Sequence, residues 1–286
     1  MHALRWLWHR RRYPKFVWFK LRRPQQFRLY SDTVRIYPRD WRAFLLSQSG
    51  GQGLQPELIR KFAGFADPDG TFFDVGANLG EWTAALRTRF RDCIAVEPDS
   101  DLCSSMTDTF RESENVKIVC AAASLTAGHA QLYSRTHYRG GQSLFHGHIH
   151  NLDQGQWWAV GRPSSRTVET IRLSKIIRSL NLGSRARGLY LKLDVEGAEL
   201  DVLRDIEPLL REQSRWALVV EFNAKAISAI GKDPLELWRF LTYLDCGGHA
   251  HFSDGSKASI DSYGTSNYPD SNCDVILCST HREPND

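Results

Sequence analysis

From residue 70 onward, short apolar runs alternate with amphipathic segments of helical length. Thr71–Val75, Cys93–Val96, Val116–Cys120, Gly188–Leu193 and Trp216–Val220 read as strands, being too short for helices and almost continuously apolar. Glu81–Phe90, Asp99–Arg111, Leu173–Leu180, Ala198–Arg211 and Pro234–Asp245 carry helical spacing and lie between or after them. Two closing strands are expected at His249–Phe252 and Asp274–Cys278. The Gly-, His- and Trp-rich stretch 125–170 reads as hairpins and loops. A strand that is apolar on both faces must be covered on both faces. The alternation therefore predicts an α/β fold, a doubly wound and mostly parallel sheet between two helical layers.

These strands end at or beside carboxylates: Asp74, Glu97, Asp194 and Glu221. Charge on the lip of a buried strand is costly unless something uses it. In open parallel sheets ligands bind in the crevice beyond the carboxyl ends of the strands. After the first strand comes DVGANLG, Asp74 to Gly80, whose glycines let the backbone turn tightly and approach a ligand. The spacing is GxxxG, so the dinucleotide fingerprint GxGxxG is absent. Glu97, 23 residues after Asp74, stands where an acid accepts hydrogen bonds from a ribose diol in doubly wound folds. A ribose-binding acid without a pyrophosphate loop points to a nucleoside lacking a diphosphate. S-adenosylmethionine (SAM) fits, with its ribose at Glu97 and its methionine end beside Asp74, Gly76 and Asn78. The competing reading makes Asp74 a helix-capping acid and Glu97 a solvated strand end.

With these pieces in place, DVGANLG, VEP (Val96 to Pro98), AAASLTAG (Ala121 to Gly128), LKLDVEGAELDVL (Leu191 to Leu203) and VVEFN (Val219 to Asn223) resemble the FkbM-type SAM-dependent methyltransferases. The motifs span roughly residues 70–225 in the family's order, and DVEGAE is the most specific. The resemblance implies a class I methyltransferase fold with a seven-stranded sheet, and O-methylation of a sugar, glycan or natural-product hydroxyl. It places the cofactor-binding set at Asp74, Gly76, Asn78, Gly80, Glu97, Ala122, Ser124 and Asp194. Two positions depart from the family pattern. Leu125 stands where members usually carry an acid for the adenine amine, leaving Ser124 or a main-chain group to substitute. Ser174 and Lys175 stand where an acid usually follows the leucine of the helix at Leu173.

An alcohol is a poor nucleophile at neutral pH and needs a base or a metal to take its proton. Asp194, Glu196 and Glu221 are the expected catalytic acids. A metal-free general base, Asp194 or Glu196 with its pKa raised by neighbouring acids and partial burial, is preferred over Mg²⁺ held by Asp194, Glu221 and Asn223. No dedicated metal site is expected. A blander reading has Asp194 orient the cofactor amine while Glu196 and Glu199 cap the next helix, and for Glu199 the cap is preferred. His146, His148 and His150 would share one face of an extended HGHIH, but a zinc site would want a fourth ligand that the sequence does not supply.

The chain has 286 residues, 42% apolar and 24% charged, ordinary for a globular protein. No stretch reaches the ~18 apolar residues of a membrane span, and the N-terminus has no signal-peptide pattern. The six cysteines form no CxxC, which suits reduced, mostly buried thiols. The net charge of +4 conceals an asymmetry: residues 1–30 hold nine of the 37 basic residues and no acid, leaving 28 basic against 33 acidic elsewhere. This basic, aromatic arm is followed by a helical cover segment at 31–69 and the catalytic domain at 70–281. Its Trp6, Trp8, Tyr13, Phe16, Trp18 and Phe19 suit an anionic membrane surface through residues 1–24, packing on the body, or nucleic acid, the last being disfavoured. A cytoplasmic protein, peripheral at the inner membrane face, is the resulting expectation. Two alternatives stand beside the O-methyltransferase: methylation of nucleic acid or protein, and a non-catalytic SAM-binding module tethered to a membrane. Against the first, DVEG replaces the Asn/Asp-Pro-Pro-aromatic run of amine-directed enzymes.

Overall fold

The computed structural model describes residues 15–16, 19, 25–36, 41–135, 138–147, 163–180, 188–244 and 248–279. Strands β1 (Gln25–Leu29) and β2 (Asp32–Ile36) form an antiparallel hairpin, followed by helices α1 (Trp41–Ser47) and α2 (Pro56–Ala63). The body then runs β3 (Thr71–Val75), α3 (Glu81–Leu86), β4 (Asp92–Val96), α4 (Ser100–Thr109) and β5 (Val116–Val119). An inserted region carries β6 (Ala122–Ala123), β7 (Gly128–Arg135), β8 (Tyr138–Ser143) and β9 (Pro163–Ile171). The alternation resumes with α5 (Leu173–Ser179), β10 (Leu189–Leu193), α6 (Glu199–Glu212), β11 (Trp216–Phe222), α7 (Ala224–Ala229) and α8 (Pro234–Tyr243). It closes with β12 (His249–Phe252), β13 (Lys257–Ser259) and β14 (Cys273–Cys278).

The central sheet has the order β13-β12-β14-β11-β10-β3-β4-β5. The five strands from β11 to β5 are parallel, and β14 lies antiparallel between β11 and β12. The order reverses between β3 and β10, which opens the ligand crevice at their carboxyl ends. The doubly wound architecture is as the strand–helix alternation implies, but the sheet has eight strands, not seven. The extra one is β13, which hairpins back on β12. Gly255, at φ +89°, makes the turn, and the Asp254 carboxylate accepts from the amide and hydroxyl of Ser256. Lys-Ala-Ser has no strand signature of its own; pairing with a neighbour's edge supplies the order.

Successive residues of each central strand enter opposite layers. Phe73, Leu191, Leu218 and Val220 pack with Leu203, Ile206 of α6 and Trp238, Leu241 of α8. Phe72, Tyr190, Ala217 and Val219 pack with Ile59, Phe62 of α2 and Trp82, Leu86 of α3. Full burial of each large apolar side chain contributes about 2 kcal/mol.

The N-terminal segment makes a third core. Phe16 and Phe19 are buried, with ring centroids 5.1 Å from Trp41 and 5.5 Å from Phe44 respectively. Packing on the body is therefore the outcome for these two arm aromatics, while residues 1–14 lie outside the described residues. The expected boundary at residue 30 falls inside the β1–β2 turn, so Gln25–Leu29 belong with the cover and not with the arm. Arg87 of the body clasps Asp32 through both carboxylate oxygens, at 2.9 and 2.7 Å. Among the described residues no helix is long and apolar enough to cross a membrane.

Within 125–170, the described residues 128–135, 138–143 and 163–170 are more regular than expected. They supply a separate sheet in the order β6-β9-β7-β8, with β7 and β9 antiparallel from Gly128↔Thr170 to Arg135↔Pro163. Its outer face is polar and its small core holds Ala122, Leu132 and Val168, too few apolar residues to announce strands in the sequence.

Candidate active site

A cleft of about 600 Å³ opens at the carboxyl edge where the strand order reverses. Gly76, Asn78, Glu97, Ala122, Asp194 and Glu196 line it from the sheet. Arg42 reaches it from α1, Leu132 from β7, and Arg139 and Gln142 from β8. The insertion thus roofs the site, and α1 packs against β8.

Gly76 is held by the closeness of β10. Its φ is +76°, and a Cβ there would stand 1.8 Å from the Asp194 carbonyl oxygen. Beneath this turn lies Lys192, 4% exposed, whose ammonium donates to the Gly76 carbonyl at 2.7 Å and sits 3.6 Å from Asp74 and 3.3 Å from Asp194. Burial works to lower the Lys192 pKa, but Asp194 and Asp74 outweigh it and hold the ammonium charged. Asp74 does not line the cleft. One of its oxygens accepts from the amide and hydroxyl of Thr83 in the first turn of α3, at 3.1 and 2.8 Å.

Glu97 closes the next strand. Its carboxylate accepts from the amides of Asn78 and Asp99, at 2.8 and 2.9 Å, and each oxygen keeps lone-pair capacity for a further donor. Burial pushes its pKa up to about 7, against those two amide bonds. Asn78 takes a positive φ of 54° and donates to the Arg139 carbonyl, joining the glycine turn to the roof. Asp99, fully buried, caps α4 through the Asp101 amide and receives Arg139, Arg166 and Gln142 from the inserted sheet. Beyond Glu97 the wall is apolar, formed by Ala121, Ala122, Ala123, Leu132 and Leu144.

At the other end Asp194, Glu196 and Glu221 converge, with one oxygen of each within 4.8 Å of the others. Three carboxylates so close cannot all ionise independently. Burial works to raise Asp194, yet Lys192, Arg42 and a hydrogen bond with Glu221 hold it below the usual range. Glu221 is pushed well above that range by burial and by Asp194 and Glu196. The two neighbouring acids are thus pushed in opposite directions. Glu196 is held at φ +51°, its carbonyl accepting from Ser143 of β8 at 2.7 Å. Glu199 folds back onto this turn and accepts from the amides of Val195 and Gly197, at 3.0 and 2.9 Å. It braces the loop that carries Asp194 and Glu196, a more specific task than the expected helix cap. The side chain of Asn223 caps α7 by accepting from the Ala226 amide.

Of the cofactor residues expected from sequence, Gly76, Asn78, Glu97, Ala122 and Asp194 line the cleft, and Asp74, Gly80 and Ser124 do not. Gly80, at φ +77°, is required for packing, since a Cβ would meet Phe110 at 2.8 Å. Of the catalytic set, Asp194 and Glu196 line the cleft and Glu221 stands behind them. Lys192, Arg42, Asp99, Arg139 and Gln142 went unread. Only Lys192 carried a signal, a lone lysine inside an apolar strand. His146 is exposed and packs edge-on against Tyr133, while His148 and His150 lie outside the described residues. Among the described residues the one cluster able to hold a metal is Asp194, Glu196 and Glu221.

The methyltransferase FkbM domain matches residues 74–249. Among solved structures, a methyltransferase FkbM from Methylobacillus flagellatus is similar at 14% identity and TM-score 0.43, covering 73% of this chain. This chain spans 44% of that protein's chain, less than half its length. An rRNA methylase from Streptococcus thermophilus is similar at 13% identity and TM-score 0.38, over 79% of this chain and 95% of its own. A Streptococcus mutans protein in complex with SAH is similar at 9% identity and TM-score 0.40, over 78% and 96%. No curated protein matches the sequence. The match covers more than half of the chain and takes in the glycine turn, Glu97 and the DVEG loop, and on that ground the chain belongs to the FkbM methyltransferase family.

Proposed function

We propose that this chain is a SAM-dependent O-methyltransferase acting on a hydroxyl of a sugar, glycan or natural product. The observation that carries the reading is the split character of the cleft. One end offers a ribose acid, a glycine turn and an apolar wall, and the other offers three converging carboxylates. The residues fit SAM by their chemistry: Glu97 for the diol, Ala121–Ala123 and Leu132 for the ring, and Gly76, Asn78 and Asp194 for the methionine end. Bound SAM supplies an electrophilic methyl group on a sulfonium. Asp194, held below the usual carboxylate range by Lys192 and Arg42, takes the hydroxyl proton, and Glu221, hydrogen-bonded to it and shifted the opposite way, shares that proton. The roof from β8 limits water and aligns the acceptor with the methyl group.

Calorimetry with SAM tests the cofactor, and a labelled-methyl screen across glycan and small-molecule hydroxyls tests the acceptor class. Asp194→Asn is expected to lower transfer about 100-fold or more while the protein stays folded. Transfer to RNA or protein amines, and none to hydroxyls, would reject the O-methyl assignment. A divalent cation on Asp194, Glu196 and Glu221 is the second reading, favoured by their 4.8 Å convergence. Activity unchanged by EDTA removes it. The arm's contact with an anionic membrane is part of the proposal. It is tested by vesicle co-sedimentation of the R10Q/R11Q/R12Q variant, where undiminished binding disposes of it.

A further inference from the structure

Cys120 is exposed just past the end of β5, and Cys103 is buried in the first turn of α4. Strand register brings the two together. The Glu97 amide donates to the Val119 carbonyl at 3.0 Å, so Glu97 stands beside Cys120 and its own carbonyl also points towards β5. In a continuing parallel ladder the Ala121 amide would take that carbonyl, but it turns back to Val119 at 3.1 Å. The Cys103 thiol fills the place and donates to the Glu97 carbonyl at 3.0 Å. The same sulfur is hydrogen-bonded to the Cys120 thiol.

The two thiols differ in access. Burial, with the bond to Cys120 adding to it, raises the Cys103 pKa and keeps that thiol neutral. Solvent reaches Cys120 and barely touches Cys103. An exposed thiol in contact with a buried one is the arrangement in which the first is oxidised and the second resolves it. The location makes such a change consequential. Glu97, whose carbonyl the Cys103 thiol holds, and Ala121 and Ala122, which follow Cys120, all line the cleft.

We propose that Cys103 and Cys120 are a reversible oxidation site, at which a peroxide joins them in a disulfide that weakens cofactor binding. The Cys120 sulfur attacks one peroxide oxygen and the O–O bond breaks, leaving a Cys120 sulfenic acid and one water. The Cys103 sulfur then attacks the Cys120 sulfur, the S–O bond breaks, and the Cys103 proton leaves with the hydroxyl as a second water. The two thiols lose two electrons and the peroxide takes them. An S–S bond of about 2.05 Å ends the thiol's hold on the Glu97 carbonyl and draws residue 120 towards α4, shifting Glu97 and the Ala121–Ala122 wall. The effect on the cofactor rests on the SAM reading of the cleft, and the disulfide itself does not.

The test treats the full chain with hydrogen peroxide, maps disulfides by peptide mass spectrometry without reduction, and measures S-adenosylhomocysteine affinity by calorimetry. The wild type is expected to yield a peptide linked through Cys103 and Cys120 and to bind about tenfold more weakly, the equivalent of one hydrogen bond lost at a charged carboxylate. Dithiothreitol is expected to reverse both. Cys120→Ser, a change at an exposed position, is expected to form no linked peptide and to keep its affinity through the same treatment. No linked peptide in the wild type, or a linked peptide with unchanged affinity, would overturn the proposal. So would a Cys120→Ser chain weakened by peroxide as much as the wild type. Failure of the reduced wild type to bind S-adenosylhomocysteine would reject the cofactor reading and the effect on binding with it, while the linked peptide still decides the disulfide.

Discussion

At the scale of single residues, the site depends on atoms that touch across strands. Gly76 is the sharpest case, since any Cβ would strike the Asp194 carbonyl and the backbone is already at φ +76°. Gly76→Ala is expected to cost about 3 kcal/mol or more, read as a fall in melting temperature. The glycine was legible in DVGANLG, but its reason was not, because the clash is with residue 194. Asp205 gives a parallel lesson. The acid missing at Ser174 is supplied from α6, where Asp205 accepts from the Ser174 amide and hydroxyl at 2.8 and 2.7 Å and from Arg172 at 2.8 Å. A local motif reads as broken when its partner arrives from elsewhere in the chain.

At the scale of elements, two attachments keep the cleft in shape. Asp99 pins the inserted sheet to α4 through two arginines and Gln142. Asp99→Ala leaves those cations over a buried gap and is expected to cost about 3–5 kcal/mol, with faster amide exchange in β8 and β9. The second attachment is the Glu199 brace on the DVEG turn. Burial pushes Glu199, Glu97 and Asp274 each up to about 7, and it raises Glu221 well above the ordinary carboxyl range too. The folded chain therefore holds protons that the unfolded chain releases near its ordinary carboxyl range. This contribution to stability is complete at low pH and lost as pH rises through about 7. The ligand-free melting temperature is expected to fall between about pH 4.5 and pH 7 and to level off above that, less steeply in Glu199→Gln. His251, lowered to about 4 by burial and by Lys61, opposes this only below its ordinary range. A flat profile would contradict the assigned protonation.

At the scale of the whole molecule, the N-terminal segment is part of the fold. Removing residues 1–24 strips Phe16 and Phe19 from Trp41 and Phe44 and is expected to lower stability by several kcal/mol, at about 3 kcal/mol per buried ring. A truncated chain that melts with the full one would refute this. The sequence alone determined the order of strands and helices, the parallel sheet, and the acids at its carboxyl edge. Those follow from periodicity and from the cost of burying charge, and both are local. Only the tertiary structure decided that Asp74 serves α3, that Asn223 caps α7, and that Lys192 and Arg42 hold Asp194 below the usual carboxylate range. It also decided that β7 and β8 roof the cleft. Each depends on which groups lie close in space across strand pairing and long loops, and a linear pattern does not carry that distance.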